Sequence, residues 1–494
     1  MVGLKAGKYK KKIDKRWLAL FVLCGGSLMI VLDTTIVNVA LPSIRESLNF
    51  SQASLAWVVN AYLLTFGGFL LLGGRLGDLF GHRRLFLTGL VLFSLASLSC
   101  GLAVSQVTLI ISRAVQGLGG AVVSAVGLSL MMDLFMQPNE RAKAMGVFGF
   151  VSAGGGSIGV LLGGVLTSVL DWHWIFLVNV PIGIVVYALA TRLLPRSRKV
   201  PASTQLDVAG AVTVTGALLL AVYAVVNGNA AGWLSGQTLG LLAAAVILLA
   251  VFLRIESRAH APLIPPDLLR LRNVATANGV GMLWAAAMFA WFFLSALYLQ
   301  LVLGYSPLKV GLAFLPANLI MAVFSVGISA KLVMRFGIKK PLSIGLLIAA
   351  LGLALFTMAP VGGSFIVNVL PSMLLLGVGA GMAFNPVLLA AMSDVKPQES
   401  GLASGIVNTS FMMGGALGLA VLASLAAART NHAVASKVGG LVALNSGYHY
   451  AFAAGAVFAV VAASLGATLL RTTRATAPQD APLPASNPAA EPLL

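Results

Sequence analysis

Two residues of opposite charge lie where charge is expensive. Asp33, in FVLCGGSLMIVLDTTIVNVALPSI (residues 21–44), and Arg113, in LIISRAVQGLGGAVVSA (residues 109–125), interrupt apolar runs long enough to cross a bilayer. A carboxylate at such a depth costs roughly 2.5 to 3.5 kcal/mol on insertion scales, so a functional return is expected of it. Asp33 is the one acid deep in an apolar run. Asp133 and Asp207 fall at the ends of runs, and the other eleven of the fourteen acidic residues fall in loops or tails. Arg113 is the only comparably placed base, with Gln116 three residues on, on the same helix face. A carboxylate beside a guanidinium can take and release a proton as their separation and hydration change. The alternative is a static ion pair that fixes helix packing.

The elements that position these residues are membrane helices. The chain has 494 residues, 59% hydrophobic and only 9% charged, with mean hydropathy +0.97, whereas soluble domains are about 25% charged. Fourteen runs have the length of about 20 residues needed to cross the hydrocarbon core: 17–40, 53–73, 85–104, 107–134, 143–169, 174–194, 207–227, 236–254, 274–303, 309–332, 341–361, 364–391, 401–428 and 448–470. No soluble catalytic domain fits between them. With the N-terminus inside, 27 of the 32 Lys and Arg residues lie on the cytoplasmic side, as the positive-inside rule requires. Both termini are therefore expected in the cytoplasm, and this asymmetry accounts for the net charge of +18 without a nucleic-acid partner. On this topology Asp33 lies about 24 Å above Trp17 and Arg113 about 9 Å below the start of its span, at 1.5 Å per residue. Both then sit in the outer half of a ~30 Å core.

Other chemistries find no support. Cys24 and Cys100 are isolated in apolar runs, and the five histidines have no metal-ligand spacing. An enzyme and a metal site are therefore not expected. Phe80-Gly81-His82-Arg83-Arg84 recurs as Phe336-Gly337-Ile338-Lys339-Lys340, 256 residues later. The repeat divides the chain into a basic tail (1–16), a six-helix half (17–194), a linker with two inserted spans (195–272), a second six-helix half (273–470) and a disordered tail (471–494). Parallel halves of this kind place a substrate site between them near the midplane and expose it to each side in turn.

At this point the sequence resembles the major facilitator superfamily, specifically the fourteen-span drug:proton antiporters that export multiple drugs. Gly74-Arg75-Leu76-Gly77-Asp78-Leu79-Phe80-Gly81-His82-Arg83-Arg84 is similar to the superfamily's signature loop, with Leu79 and His82 at two usually basic positions. The resemblance makes Gly74, Gly77, Asp78, Gly81, Arg83 and Arg84 conformational gating residues, contacts that latch one side and break when the halves rock. Leu32 to Pro42 resembles the family's span 1 motif, and Arg113 to Gly120 its span 4 motif, whose arginine is tied to proton transfer. Gly149 to Gly164 resembles the span 5 motif of antiporters, with Val160 for the usual proline; Gly155, Gly159, Gly163 and Gly164 are its packing residues. Trp172 to Pro181 resembles the start of span 6, and both tryptophans read as interface anchors.

The resemblance implies an all-α integral membrane protein of the major facilitator fold, with two six-helix halves plus two inserted helices, fourteen in all. It implies exchange of protons for small amphipathic organic compounds across a bacterial cytoplasmic membrane, with Asp33 and Arg113 coupling the two. Candidate substrate contacts are Asp33, Asn38, Asn60, Gln116, Trp284, Trp291, Tyr298, Gln300, Asn318, Asn385 and Asn408, with Phe292 and Phe384 beside them. Spans 2, 10 and 13 carry Asn60, Asn318 and Asn408 where some cation exporters carry acids, which points to neutral or monovalent cargo. No cofactor is expected beyond the proton gradient. The partners are the small-molecule substrate, protons and the bilayer, and the protein is expected to be monomeric. A proton symporter or facilitator importing a nutrient shares the fold, and a non-transporting membrane sensor is a reading of another class.

Overall fold

A computed structural model describes residues 15–135, 137–195, 207–259, 262–395 and 400–471. The expected N-terminal tail up to Asp14, the linker stretch 196–206 and the C-terminal tail beyond Arg471 lie outside the described residues. All regular structure among the described residues is helical: α1 (Lys15–Leu48), α2 (Trp57–Phe80), α3 (His82–Gly101), α4 (Gln106–Leu134), α5 (Pro138–Val169), α6 (Trp174–Leu177), α7 (Asn179–Leu193), α8 (Val208–Ala231), α9 (Gly236–Glu256), α10 (Pro266–Arg270), α11 (Arg272–Leu297), α12 (Pro307–Val323), α13 (Ser329–Phe336), α14 (Lys339–Phe356), α15 (Leu370–Met392), α16 (Ser400–Ala435) and α17 (Gly440–Leu469). Among the described residues, twelve helical segments are long and apolar enough to cross a membrane, and the stretch Gly154–Val169 of α5 and the helix Pro307–Val323 are further apolar helical segments.

Local chemistry fixes the starts and stops. Ser105, Ser235 and Ser306 cap α4, α9 and α12 by accepting the backbone N–H three residues on, which satisfies an otherwise unpaired donor. Pro307 follows at the first position of α12, where its missing N–H costs nothing. Gly81 and Gly337, the paired glycines of the internal repeat, end α2 and α13 at φ 92° and 75°, a region closed to most side chains.

Close packing follows from small residues. Gly155, Gly159 and Gly163 line one face of α5 against α1, and a Cβ at Gly163 would lie 2.6 Å from the Ile36 carbonyl oxygen. Where there is no hydrophobic force between helices, such approaches supply the van der Waals contact. On one side of the molecule α1 packs on α5 and α7, and α4 on α2 and α3; on the other, α11 packs on α16 and α17, and α14 on α15 and α17. The inserted α8 pairs with α9 and lies against both α2 and α16. Asn229 donates to the Ser424 carbonyl (2.7 Å) and Ser424 to that of Val225 (2.9 Å), fastening α8 to α16.

The two sides meet in specific places. At the end away from the basic turns, a Cβ at Gly164 of α5 would lie 2.7 Å from the Pro307 carbonyl oxygen, and one at Gly311 of α12 2.9 Å from that of Val160. Ser168 accepts the Leu308 N–H there (3.0 Å), and Gln300 donates to the Val39 carbonyl (2.8 Å). Along α2 and α16, Gly67 faces Met412 and Gly405 faces Leu71.

Candidate functional site

Asp33 and Arg113 meet. Arg113 Nη1 donates to Asp33 Oδ2 at 2.5 Å, with the two side chains 1% and 0% exposed. The pair is the centre of a larger polar set. Gln116 Nε2 donates to Asp33 Oδ1 (2.7 Å) and to Ser97 Oγ (2.7 Å), while Gln116 Oε1 accepts from Arg113 Nη1 (2.6 Å). Asn179, in the first turn of α7, donates to Asp33 Oδ1 (3.2 Å). Arg113 Nε donates to the Val58 carbonyl (2.9 Å), and the rings of Tyr62 and Phe176 lie 4.4 and 5.5 Å from the guanidinium carbon.

Helices α1, α2, α3, α4, α6 and α7 each contribute a member, so the set forms only when these helices are docked. Taking two charges out of water is repaid only with good geometry and further hydrogen bonds to the remaining lone pairs and protons. Here both Asp33 oxygens are bonded, and Arg113 keeps Val58, Gln116 and two aromatic faces in addition to the carboxylate. The arrangement can therefore hold Asp33 charged, and still hold Arg113 if a proton neutralises Asp33.

A second set of candidate residues gathers elsewhere. Trp284 of α11, Phe384 of α15 and Asn408 of α16 line one pocket with Val387, Leu388, Val407 and Phe411. Phe384 meets Phe411 edge to face at 5.9 Å, and Phe289 meets Phe411 at 6.0 Å. Trp284 is fully buried and its indole N–H has no partner.

The remaining candidates occupy other positions. Asn38 donates back into its own helix, to Thr34 and Thr35. Gln300 is used in the contact to Val39 described above, Tyr298 donates to the Pro360 carbonyl (2.9 Å), and Asn385 donates to that of Ser325 (2.6 Å). Trp291 is buried in an aromatic group with Phe292 and Phe314. Asn60 is fully buried with both amide atoms unpartnered, and Asn318 is buried with Nδ2 unpartnered.

In the signature loop, His82 bridges Asp78 and Asp133, each at 3.2 Å, and Arg83 Nη2 donates to the Thr191 carbonyl (2.5 Å). These contacts join α2, α3, α4 and α7, all on one side of the molecule. The span 6 tryptophans part company. Trp174 is 45% exposed and suits an interface anchor, whereas Trp172 is buried and stacks on His173 at 3.7 Å. Trp172 is no interface anchor because the turn at 171–173 folds it inward against Phe176. Although burial pushes the Asp171 carboxyl up, hydrogen bonds from the His173 backbone and ring leave it below its ordinary value.

Asn179, Ser97 and Tyr62 belong to the Asp33 set without having been singled out in the sequence. Asn179 carried a signal, an amide in the first turn of a membrane helix and within the span 6 motif; Ser97 and Tyr62 are too ordinary in such helices to carry one.

Comparison with known proteins gives a consistent picture. Residues 23–419 match the family described as Major Facilitator Superfamily. The chain is 40% identical to the puromycin resistance protein of Streptomyces alboniger, over 84% of this chain and 83% of that protein. It is 39% identical to the cephamycin export protein of Amycolatopsis lactamdurans, over 93% and 94%. Among solved structures, the fold is similar to a peptide transporter of the POT family (TM-score 0.69, 16% identity, 93% of this chain and 98% of that one). It is also similar to the xylose transporter of E. coli (TM-score 0.63, 17% identity, 94% and 99%).

Proposed function

The chain belongs to the Major Facilitator Superfamily, and from that premise we propose that it is a proton-coupled antiporter exporting antibiotics and other small amphipathic compounds. The relatives named for resistance and export favour this direction over nutrient import or sensing. The observation that carries the coupling is the buried Asp33 carboxylate, bonded at once to Arg113, Gln116 and Asn179.

On this reading the basic turns face the bacterial cytoplasm, and both termini lie there. Counting α5 and α12 with those twelve segments makes fourteen spans, with halves at 17–194 and 273–470. The seam between α5 and α12 then closes the outer side, and Gln300 and Tyr298 belong to that closure. Substrate arrives from the cytoplasm while Asp33 is charged and paired. A proton from outside neutralises Asp33 and loosens its hold on Arg113, which changes how α1, α4 and α7 sit. Exchange follows if the proton and the substrate favour different arrangements of the halves. The signature-loop set around Asp78, His82 and Asp133 stiffens one half as it moves. The gradient is the only energy source this scheme needs, and one chain is sufficient for it.

The test is transport in everted vesicles with an acidic lumen. Puromycin should accumulate in the lumen with wild-type protein and stop doing so when the pH gradient is collapsed. Asp33→Asn should abolish gradient-driven accumulation while Asp33→Glu retains part of it. Full coupled transport by Asp33→Asn would overturn the role given to Asp33, and accumulation only under the reversed gradient would favour import.

A further inference from the structure

The two copies of the internal repeat balance their charges differently. At the offset of 256 residues, Arg75, Asp78, Leu79, His82, Arg83 and Arg84 correspond to Lys331, Met334, Arg335, Ile338, Lys339 and Lys340. In the first copy the protein supplies the partners: His82 bridges Asp78 and Asp133, and Arg83 donates to the Thr191 carbonyl. The second copy has lost the acids. Methionine stands for Asp78, isoleucine for His82, and Leu389 for Asp133.

What remains is a basic surface with apolar groups set into it. Lys331, Arg335 and Lys340 are exposed and Lys339 is half-buried. None of the four pairs with a carboxylate among the described residues. Lys331, Met334 and Arg335 share one face of α13 at spacings of three and four. Met334 is 78% exposed and Phe336 47%, with the Arg335 guanidinium 5.2 Å from the centre of the Phe336 ring. The preference for bases on one side of a membrane accounts for the lysines and the arginine. It gives no reason to expose a methionine and a phenylalanine among them.

The position of this surface identifies what it faces. Lys339 and Lys340 open α14, one of the helices long and apolar enough to cross a membrane, and Gly337 at φ 75° turns the chain into it from α13. The turn therefore lies where headgroups meet acyl chains. An anionic phospholipid answers both parts of it, the phosphate meeting the bases and the start of the acyl chain meeting Met334 and Phe336. A soluble acidic partner would neutralise the bases and leave the apolar pair unexplained.

We propose that the turn between α13 and α14 binds anionic phospholipids of the adjoining leaflet through Lys331, Arg335, Lys339 and Lys340, with Met334 and Phe336 against the acyl chains. The first copy of the repeat is balanced by its own acids, whereas the second takes its negative charge from lipid. The second half is thereby tied to the leaflet more tightly than the first, whatever the protein transports.

The test uses the full chain in nanodiscs of phosphatidylcholine with a minor fraction of phosphatidylglycerol. A fluorophore is attached to Ile344→Cys or to Thr88→Cys, exposed positions one turn beyond Lys340 and Arg84 and related by the same offset of 256. Cys24 and Cys100 are buried, so the label goes to the new thiol. Bromine carried on the chains of one lipid or the other quenches the label that the lipid sits beside. A basic residue at the membrane surface is worth about fivefold in affinity for anionic lipid. At Ile344 phosphatidylglycerol should therefore be preferred over phosphatidylcholine by at least about fivefold, less so at high salt, and the preference at Thr88 should be smaller. Lys331→Gln combined with Lys340→Gln, both at exposed positions that spare the fold, should remove most of the preference at Ile344. Met334→Asp, which restores the acid of the first copy, should lower it several-fold. The proposal is overturned if the two labels report the same preference, or if neither variant changes it at Ile344. A label at Ile344 that shows no preference for phosphatidylglycerol also overturns it, and would leave the basic face to a soluble acidic partner.

Discussion

The Asp33 set and the Trp284 pocket solve opposite problems with buried polar atoms. Around Asp33 both charges have partners, since Arg113, Gln116, Asn179 and Ser97 bond one another or the carboxylate, while Asn179 Oδ1 and the Tyr62 hydroxyl have none. Around Trp284 the lining residues are uncharged, and the indole N–H has no partner. A buried charge pair resists change until a proton alters one of its members, whereas an unpartnered neutral donor gains by meeting an acceptor. On the proposed reading the proton is handled on one side of the molecule, and coupling to the other has to travel through the contacts between them.

The largest effect should come from breaking the charge pair. Arg113→Met strands a buried carboxylate, and removal of one partner of a buried pair costs about 3 to 5 kcal/mol. Thermal unfolding of the purified protein should register a large drop. Asp33→Asn combined with Arg113→Gln removes both charges and should recover much of that loss, giving a strong coupling between the two sites. The same double variant should remain inactive in gradient-driven transport, and coupled transport by it would overturn the role given to the pair.

Next in size is the seam between the two sides at α5 and α12. At Gly164 an added methyl would lie 2.7 Å from the Pro307 carbonyl oxygen and 3.0 Å from the Leu308 Cα, both backbone atoms of the other half. Overpacking of this kind typically costs about 1 to 3 kcal/mol, and here the halves can escape it by parting. Gly164→Ala should shift the molecule towards the state open at that end, read as longer distances between spin labels at Val169 and Tyr305. Gly155→Ala meets the tip of the Leu28 side chain and Val31 within one half, and should leave those distances unchanged. Equal shifts in the two variants would mean that the seam is not where the halves are held.

Legibility in the sequence followed cost. Asp33 and Arg113 were readable because each is expensive in a bilayer, and helix geometry put them at similar depth before any contact was known. The FGHRR and FGIKK repeat was readable because a left-handed turn selects glycine, and Gly81 and Gly337 both have positive φ. The amides were not readable as a site. Asn38, Asn278 and Asn408 each donate to their own helix, so an asparagine in a membrane helix need not have a distant partner. Asn179 stood in a motif, but its partner could not be read because its bond to Asp33 depends on how α7 docks on α1. Trp172 misled because the interface preference of tryptophan is a statement about depth, and the turn at 171–173 sets direction.

The smallest expected effect is also the closest comparison, the same substitution made once beside each region. Thr65 of α2 donates to the Ala61 carbonyl of its own helix (2.9 Å) and to the Ala114 carbonyl of α4 (2.8 Å), one residue from Arg113. Thr409 of α16, the neighbour of Asn408, is equally buried but its hydroxyl has no partner. Valine matches threonine in shape, so each change removes a hydroxyl and little else. Thr65→Val should lower stability by about 0.5 to 1.5 kcal/mol, the net worth of a hydrogen bond. Thr409→Val loses no bond and removes a polar atom from an apolar contact, so unfolding should be unchanged or slightly delayed. If the two variants lose stability equally, the Thr409 hydroxyl is satisfied in the membrane, and this contrast between the two regions is lost.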